Sequence, residues 1–245
     1  MKRRGAQTVA VLGSKLQKGA KSMKAVIFDM FETLVTLYSV PRYFGRNIAA
    51  DLGAEINEFY PLWHETEEAR SKGKMTFEEA LYWIGERTRY AHPERIPEAL
   101  ERRHAFKAES MQKVEYRIVS LLRELKERGY KVALISNCFL EEGEVIRTSV
   151  LAPLFDVMML SCEQGVQKPE REIFERCLAE LSVAPEDCLY VGDGGSLELE
   201  TARSFGMKTL QAGWFVKNEQ ENWQKEGFES ATKPEEVLAA VGTVE

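Results

Sequence analysis

Lys24 to Val35 reads KAVIFDMFETLV, and the organisation of the chain follows from it. Four apolar residues, Ala25 to Phe28, run directly into an acid, Asp29, and a Thr-Leu pair follows at Thr33 and Leu34. A short unbroken apolar run containing Val and Ile is the pattern of a strand buried on both faces, as in a parallel sheet. Asp29 then stands at the strand's C-terminal edge, where open α/β sheets bind their ligands.

Four more apolar runs follow, at Lys131 to Ser136, Val157 to Leu160, Cys188 to Val191 and Lys208 to Gln211. Helical periodicity fills the gaps. Ile118, Leu121, Leu122 and Leu125 stripe Glu115 to Arg128, with Gly129 as the C-cap, and Glu170 to Leu181 and Leu197 to Phe205 are periodic in the same way. Strands alternating with helices predict βαβ units and an α/β fold, a Rossmann-like parallel sheet with helices on both faces.

Residues 37 to 114 break the alternation and read as helices. Phe59, Leu62, Trp63 and Thr66 fall at helical spacing, Ser71 to Lys74 interrupts them, and Thr76 with Glu79 makes a capping box. Trp63 and Trp83 lie among apolar neighbours and are expected in this segment's own core. The division expected is a basic extension over 1–22, a core domain from 23–36 and 115–245, and a helical insertion over 37–114. Near the C-terminus, Trp214, Phe215, Trp223 and Phe228 are expected to finish covering the sheet, with an amphipathic helix after Pro234.

Hydrophobic residues make up 44% and charged residues 29% of the 245, an ordinary globular composition, and no apolar run is long enough to span a membrane. Six of the 33 Lys and Arg lie in residues 1–22 with no acid, leaving 27 bases against 39 acids, or −12, in the rest. So acidic a body argues against a general nucleic-acid surface. The basic segment reads as a floppy extension, with a nucleic-acid tail or a targeting leader as the alternatives. Cys138, Cys162, Cys177 and Cys188 show no metal-site spacing, and without a secretory signal they are expected as reduced thiols in a cytoplasmic protein.

At Asp29-Met30-Phe31-Glu32-Thr33 the chain resembles the haloacid dehalogenase-like (HAD) superfamily, whose motif D-x-D-x-[T/V] ends a hydrophobic strand. Three further stretches are similar to the family's remaining motifs, in order: Ser136-Asn137 after a strand, Lys168-Pro169 ahead of a helix, and Gly192-Asp193 with Glu198 five residues on. The resemblance covers most of residues 24 to 211. It implies that Asp29 is a covalent nucleophile and that Lys168 neutralises it. It also implies that the Ser136 hydroxyl and the Asn137 backbone N–H bind a phosphoryl oxygen. Mg²⁺ would be held by Asp29, the main-chain carbonyl of Phe31 and Asp193, an oxygen set suited to that ion. Glu198 would hold the metal through water, or serve only as an acid in the first turn of a helix. The insertion corresponds in position to the family's C1 cap, a lid over the site.

Phe31 departs from the pattern, because most phosphatases of the family carry there a second Asp that protonates the leaving group. Losing a general acid–base costs on the order of 10²- to 10⁴-fold. Slow hydrolysis, a substitute such as Glu32 or His64, or a leaving group that needs no proton would each accommodate it. The resemblance implies a Mg²⁺-dependent phosphatase acting on a small phosphorylated metabolite. The alternatives are a 2-haloacid dehalogenase, for which Arg42, Arg46 and Arg70 are possible halide cations, and a protein that binds a phosphorylated ligand or partner with little turnover. Arg42, Tyr43 and Arg46 also stand where they could reach a substrate. The oligomeric state is not legible in the sequence.

Overall fold

Ala25–Phe28 forms the expected strand, β1, with every side chain buried, in a computed structural model that describes residues 23–216 and 223–242. The basic extension over 1–22 lies outside the described residues. The later apolar runs form β2 (Lys131–Ser136), β3 (Val157–Leu160), β4 (Cys188–Gly192) and β5 (Lys208–Ala212), and a short β6 (Ser230–Ala231) is added at the edge. The sheet order is β3-β2-β1-β4-β5-β6, and every pairing is parallel.

This order puts β1 in the centre. Phe28 is in register with Leu134 of β2 on one side and Val191 of β4 on the other. The chain builds outward through β2 and β3, then returns to place β4 on the opposite flank. The crevice at such a switch point, at the C-terminal ends of the strands, is where ligands bind in open α/β sheets.

Alternate side chains along each strand serve opposite faces. Val26, Phe28, Leu134 and Val191 pack with α6 (Tyr116–Glu127) through Ile118 and Leu122 and with α11 (Glu236–Val241) through Val237. Ala25, Ile27, Ile135 and Tyr190 pack with α9 (Arg171–Leu181) through Ile173 and Phe174 and with α10 (Glu198–Ser204) through Leu199. α6 ends as expected at Gly129, whose positive φ of 84° suits a glycine. The helix read from Leu197 begins at Glu198, because Ser196 and Leu197 both take left-handed backbone angles.

Between β1 and β2 lie α1 (Gly45–Leu52), α2 (Ile56–Glu65), α3 (Glu67–Ser71), α4 (Phe77–Gly85) and α5 (Ile96–Gln112). They share a core of Ile48, Leu52, Phe59, Leu81, Ile84 and Phe106, against which Trp63 and Trp83 pack half-buried. α4 opens with the capping box read from the sequence. The Glu79 N–H donates to Thr76 Oγ1 at 3.1 Å and the Thr76 N–H to Glu79 Oε2 at 2.8 Å.

Two further helices join this insertion to the sheet, α7 (Leu140–Thr148) and α8 (Ser161–Gln164). α5 presents Arg103 and Lys107 to Glu142 of α7 at 3.1 and 2.6 Å, all three buried. Arg70 of α3 stacks between the rings of Trp63 and Phe139, at 3.9 and 4.3 Å. α7 is not among the helices expected from periodicity, although Glu142 accepts from the Phe139 N–H at 3.0 Å, an acid-three-on signal of a helix start. Among the described residues no helix is long and apolar enough to cross a membrane. All four cysteines are buried and free.

Candidate active site

Asp29, Ser136-Asn137 and Asp193 come together because β1, β2 and β4 are adjacent and end at the same edge. Asp29 begins where β1 stops, and its N–H donates to Val191 O of β4 at 2.9 Å, which fixes the carboxylate beside that strand's end. Thr33 Oγ1 donates to Asp29 Oδ2 at 3.3 Å, so the Thr of the motif holds the second oxygen. The turn between them is closed by Leu34 and Val35 N–H groups donating to Met30 O.

Lys168 is the centre of the arrangement. Its ammonium is buried, lies 2.5 Å from Asp29 Oδ1 and donates also to Glu198 Oε2. Burial opposes the charge, but the two carboxylates outweigh it and hold the lysine above its usual pKa, so it is an ammonium at neutral pH. Its backbone is held by Asn137, whose side-chain amide accepts from Lys168 N–H at 2.8 Å and donates to Lys168 O at 2.9 Å. The Lys168-Pro169 bond is cis.

Glu198 stands in the first turn of α10 and reaches Lys168 from there. It is 1% exposed, accepts from Tyr190 Oη at 3.1 Å and Gly194 N at 3.3 Å, and is pushed up to about 8 by burial and by the Asp29 charge. Gly192 makes its position possible, since a Cβ there would stand 2.0 Å from Glu198 Oε1. Asp193 is half-buried; burial and the Asp29 carboxylate raise its pKa, and Gly195 N–H donates to its Oδ1 at 2.9 Å. Gln211 at the end of β5 fixes its backbone, Nε2 donating to Asp193 O at 2.8 Å.

One carboxylate oxygen from each of Asp29, Asp193 and Glu198 lies within 4.8 Å of the others. Three carboxylates around one ammonium leave an excess of two negative charges, in an environment that penalises unpaired charge. The raised pKa values of Asp193 and Glu198 register that excess, and an all-oxygen donor set of this kind fits a hard divalent cation.

The other residues named from sequence are distributed as follows. Ser136 is fully buried at the end of β2, its hydroxyl 3.5 Å from Asn137 O. The Phe31 ring faces the insertion, 5.0 Å from Lys107 Nζ. Glu32 takes a positive φ of 57° and accepts from Thr36 Oγ1 and Leu37 N; burial raises its pKa. His64 is exposed on α2 beside Glu67, Tyr43 is buried with its hydroxyl on Asp51, and Arg46 lies over Tyr60. Arg70 bonds to Thr66 Oγ1 and Trp63 O within its own segment. Arg42 lines a cleft of about 710 Å³ with Glu32, Tyr38, Asp193, Phe215 and Trp223. Tyr190 and Gln211 went unremarked in the sequence. The signal for Tyr190 was a hydroxyl inside a buried apolar strand, which must find a partner.

The chain matches a model of haloacid dehalogenase-like hydrolases over residues 23–206. It is 27% identical over 198 residues to a glyceraldehyde 3-phosphate phosphatase of Methanopyrus kandleri, covering 77% of this chain and 83% of that one. It is 25% identical over 202 residues to the bifunctional epoxide hydrolase 2 of Sus scrofa, where the match spans 77% of this chain but 36% of the relative. Among solved structures, a HAD phosphatase from Thermococcus onnurineus superposes with a TM-score of 0.62 at 21% identity, over 90% of this chain and 98% of that one. A dehalogenase superposes with a TM-score of 0.60 at 19% identity, over 90% and 98%, and at that identity both likenesses speak to the fold alone. With a family model covering most of its length and the site assembled at the matched strand ends, this chain belongs to the haloacid dehalogenase-like hydrolases.

Proposed function

We propose that the chain is a Mg²⁺-dependent phosphatase that transfers a phosphoryl group to Asp29 and then hydrolyses the aspartyl phosphate. The observation that carries this reading is the buried Lys168 ammonium shared between Asp29 and Glu198, with Asp193 beside them. A carboxylate nucleophile and an anionic phosphoryl group repel one another, and preorganised positive charge is what removes that barrier. Asp29, Asp193 and the Phe31 carbonyl would hold the metal, with Glu198 at its margin. When bound, Mg²⁺ supplies charge neutralisation at the phosphoryl oxygens. Lys168 orients Asp29, and the Ser136 hydroxyl with the Asn137 N–H receives an equatorial oxygen.

Phe31 cannot deliver a proton, so the reading includes a substrate preference. Aryl and acyl phosphates, whose leaving groups depart as stable anions, should be turned over far better than alkyl phosphates. The cleft beside Asp193 supports this, since Tyr38, Phe215 and Trp223 offer aromatic faces and Arg42 a cation to a planar, anionic leaving group. The curated relatives include phosphatases of small phosphorylated compounds. The helical insertion, residues 37–114, acts in this proposal as a cap that closes over the site, and the four unpaired cysteines fit a reducing cytoplasm.

The test is phosphate release from p-nitrophenyl phosphate, acetyl phosphate and glycerol phosphate, with and without Mg²⁺, using Asp29→Asn as control. Turnover of the first two that needs Mg²⁺ and vanishes in the control supports the proposal. Equal turnover of glycerol phosphate defeats the leaving-group preference. Chloride release from 2-chloropropionate without phosphate release turns the assignment to a dehalogenase.

A further inference from the structure

Cys138 and Cys162 lie sulfur to sulfur, 3.7 Å apart, in the second layer of the site. Cys138 directly follows Asn137, and its N–H donates to Ser161 Oγ at 2.9 Å while Ser161 returns a bond to Cys138 O at 3.2 Å. Ser161 also meets Ser71 of the insertion at 3.1 Å. Cys162 stands next to it on α8, and its sulfur fills the space left by Gly143 of α7, where a Cβ would come within 2.9 Å. The thiols thus connect the loop carrying Asn137 to the helix on which the insertion rests.

The two sulfurs differ in character. The two sulfurs share a hydrogen bond that either can donate, and it draws the Cys162 pKa below the usual thiol range and pushes that of Cys138 above it. Cys162 is 7% exposed, whereas Cys138 is 1% and Cys177 and Cys188 are 0%. One member of the pair therefore combines the lower pKa with the larger opening to a small reagent, and the other is placed to resolve it. Burial pushes both remaining cysteines up, Cys188 to about 12, so they lack the first property.

We propose that Cys138 and Cys162 are a redox-modifiable pair, closed to an intramolecular disulfide by small hydroperoxides, and that closure loosens the Asn137 grip on Lys168. The Cys162 thiol gives up its proton and its sulfur attacks the peroxide, breaking the O–O bond; it becomes a sulfenic acid, and the departing alkoxide or hydroxide takes up that proton and leaves as alcohol or water. The Cys138 sulfur then attacks the Cys162 sulfur, forming the S–S bond and expelling hydroxide, which takes the Cys138 proton and leaves as water. Two electrons pass from the two thiols to the peroxide.

A disulfide needs the sulfurs near 2.05 Å, so they must approach by roughly 1.7 Å. α7 backs Cys162 at Gly143, and the movement falls on the Cys138 loop, carrying Asn137 away from Lys168. The Lys168 amide hydrogen, given to Asn137 Oδ1, reports this directly.

The experiment treats the full chain with hydrogen peroxide, maps disulfides by peptide mass spectrometry and follows amide exchange at Lys168. Neither readout depends on the protein having phosphatase activity. Expected are a Cys138–Cys162 cross-link removed by dithiothreitol, unmodified Cys177 and Cys188, and Lys168 exchange faster by on the order of tenfold, as for one lost hydrogen bond. Cys138→Ser should give neither cross-link nor acceleration. Absence of the link, a link with unchanged exchange, or equal acceleration in Cys138→Ser would overturn the proposal.

Discussion

Asn137 closes its side-chain amide over the backbone of Lys168, accepting from its N–H at 2.8 Å and donating to its carbonyl at 2.9 Å. The lysine's reach to Asp29 is thus set from the end of β2. Asn137→Ala removes both bonds, at about 1 kcal/mol each, and frees the backbone from which the ammonium projects. We expect a small fall in Tm and a loss of kcat of roughly ten- to a hundredfold with KM little changed, read by steady-state kinetics and calorimetry.

Glu198→Gln keeps the shape of the buried carboxyl but removes its capacity to ionise within the three-acid cluster. If Glu198 stands at the margin of the proposed metal site, losing such an outer partner costs on the order of 10- to 100-fold in metal affinity. Titration calorimetry with Mg²⁺ should show that weakening; unchanged affinity would mean that Glu198 serves only to position Lys168.

Gly192→Ala places a methyl group 2.0 Å from Glu198 Oε1. The carboxylate would have to leave Tyr190 and Gly194, and overpacking of this sort costs about 1–3 kcal/mol. Denaturant unfolding should show the loss of stability, with Mg²⁺ binding weakened as in Glu198→Gln.

Phe31→Asp puts a carboxyl at the motif position that Phe31 leaves without one. Turnover of glycerol phosphate should rise by on the order of 10²- to 10⁴-fold while acetyl phosphate changes little. An equal change with both substrates would show that proton delivery is not what Phe31 withholds.

Glu142→Gln takes the carboxylate from Lys107 and leaves Arg103 only Glu141 at 3.6 Å, at the junction of insertion and core, and losing one partner of a buried pair costs about 3–5 kcal/mol. Burial opposes the Glu142 charge, but Lys107 and Arg103 outweigh it and hold its pKa below the ordinary 4.5. A depressed folded pKa contributes stability that is present above the unfolded value and lost as pH falls through the folded one. Thermal unfolding between pH 7 and 3 should therefore show a wild-type acid limb below about pH 4.5. The variant should start lower and fall less steeply.

Much of the site was legible because its parts sit at strand ends, and strand ends are marked in sequence by an apolar run meeting a polar residue. Asp29, Ser136-Asn137 and Asp193 each carry that mark. Lys168 and Glu198 were legible through resemblance and spacing, but not the role of Lys168 as a bridge, since nothing local says that two carboxylates 169 residues apart will share one ammonium. Arg103, Lys107 and Glu142 were illegible for a related reason. On paper they are ordinary helix-surface charges, and only the docking of the insertion buries them. α7 escaped because its apolar stripe is short and contains Gly143, a poor helix former.

The central place of β1 in the sheet has a consequence for the order in which the molecule can assemble. Among the described residues β1 is the first strand made, yet both of its partners come later, Lys131 to Ser136 and Cys188 to Gly192. During synthesis the strand bearing Asp29 has two bare, apolar edges, the kind that recruit other chains. Contacts closed over so many residues also fold slowly, because the loop must be closed before the pairing rewards it. A nascent chain that stops short of β4 has Asp29 but no Asp193 to stand beside it.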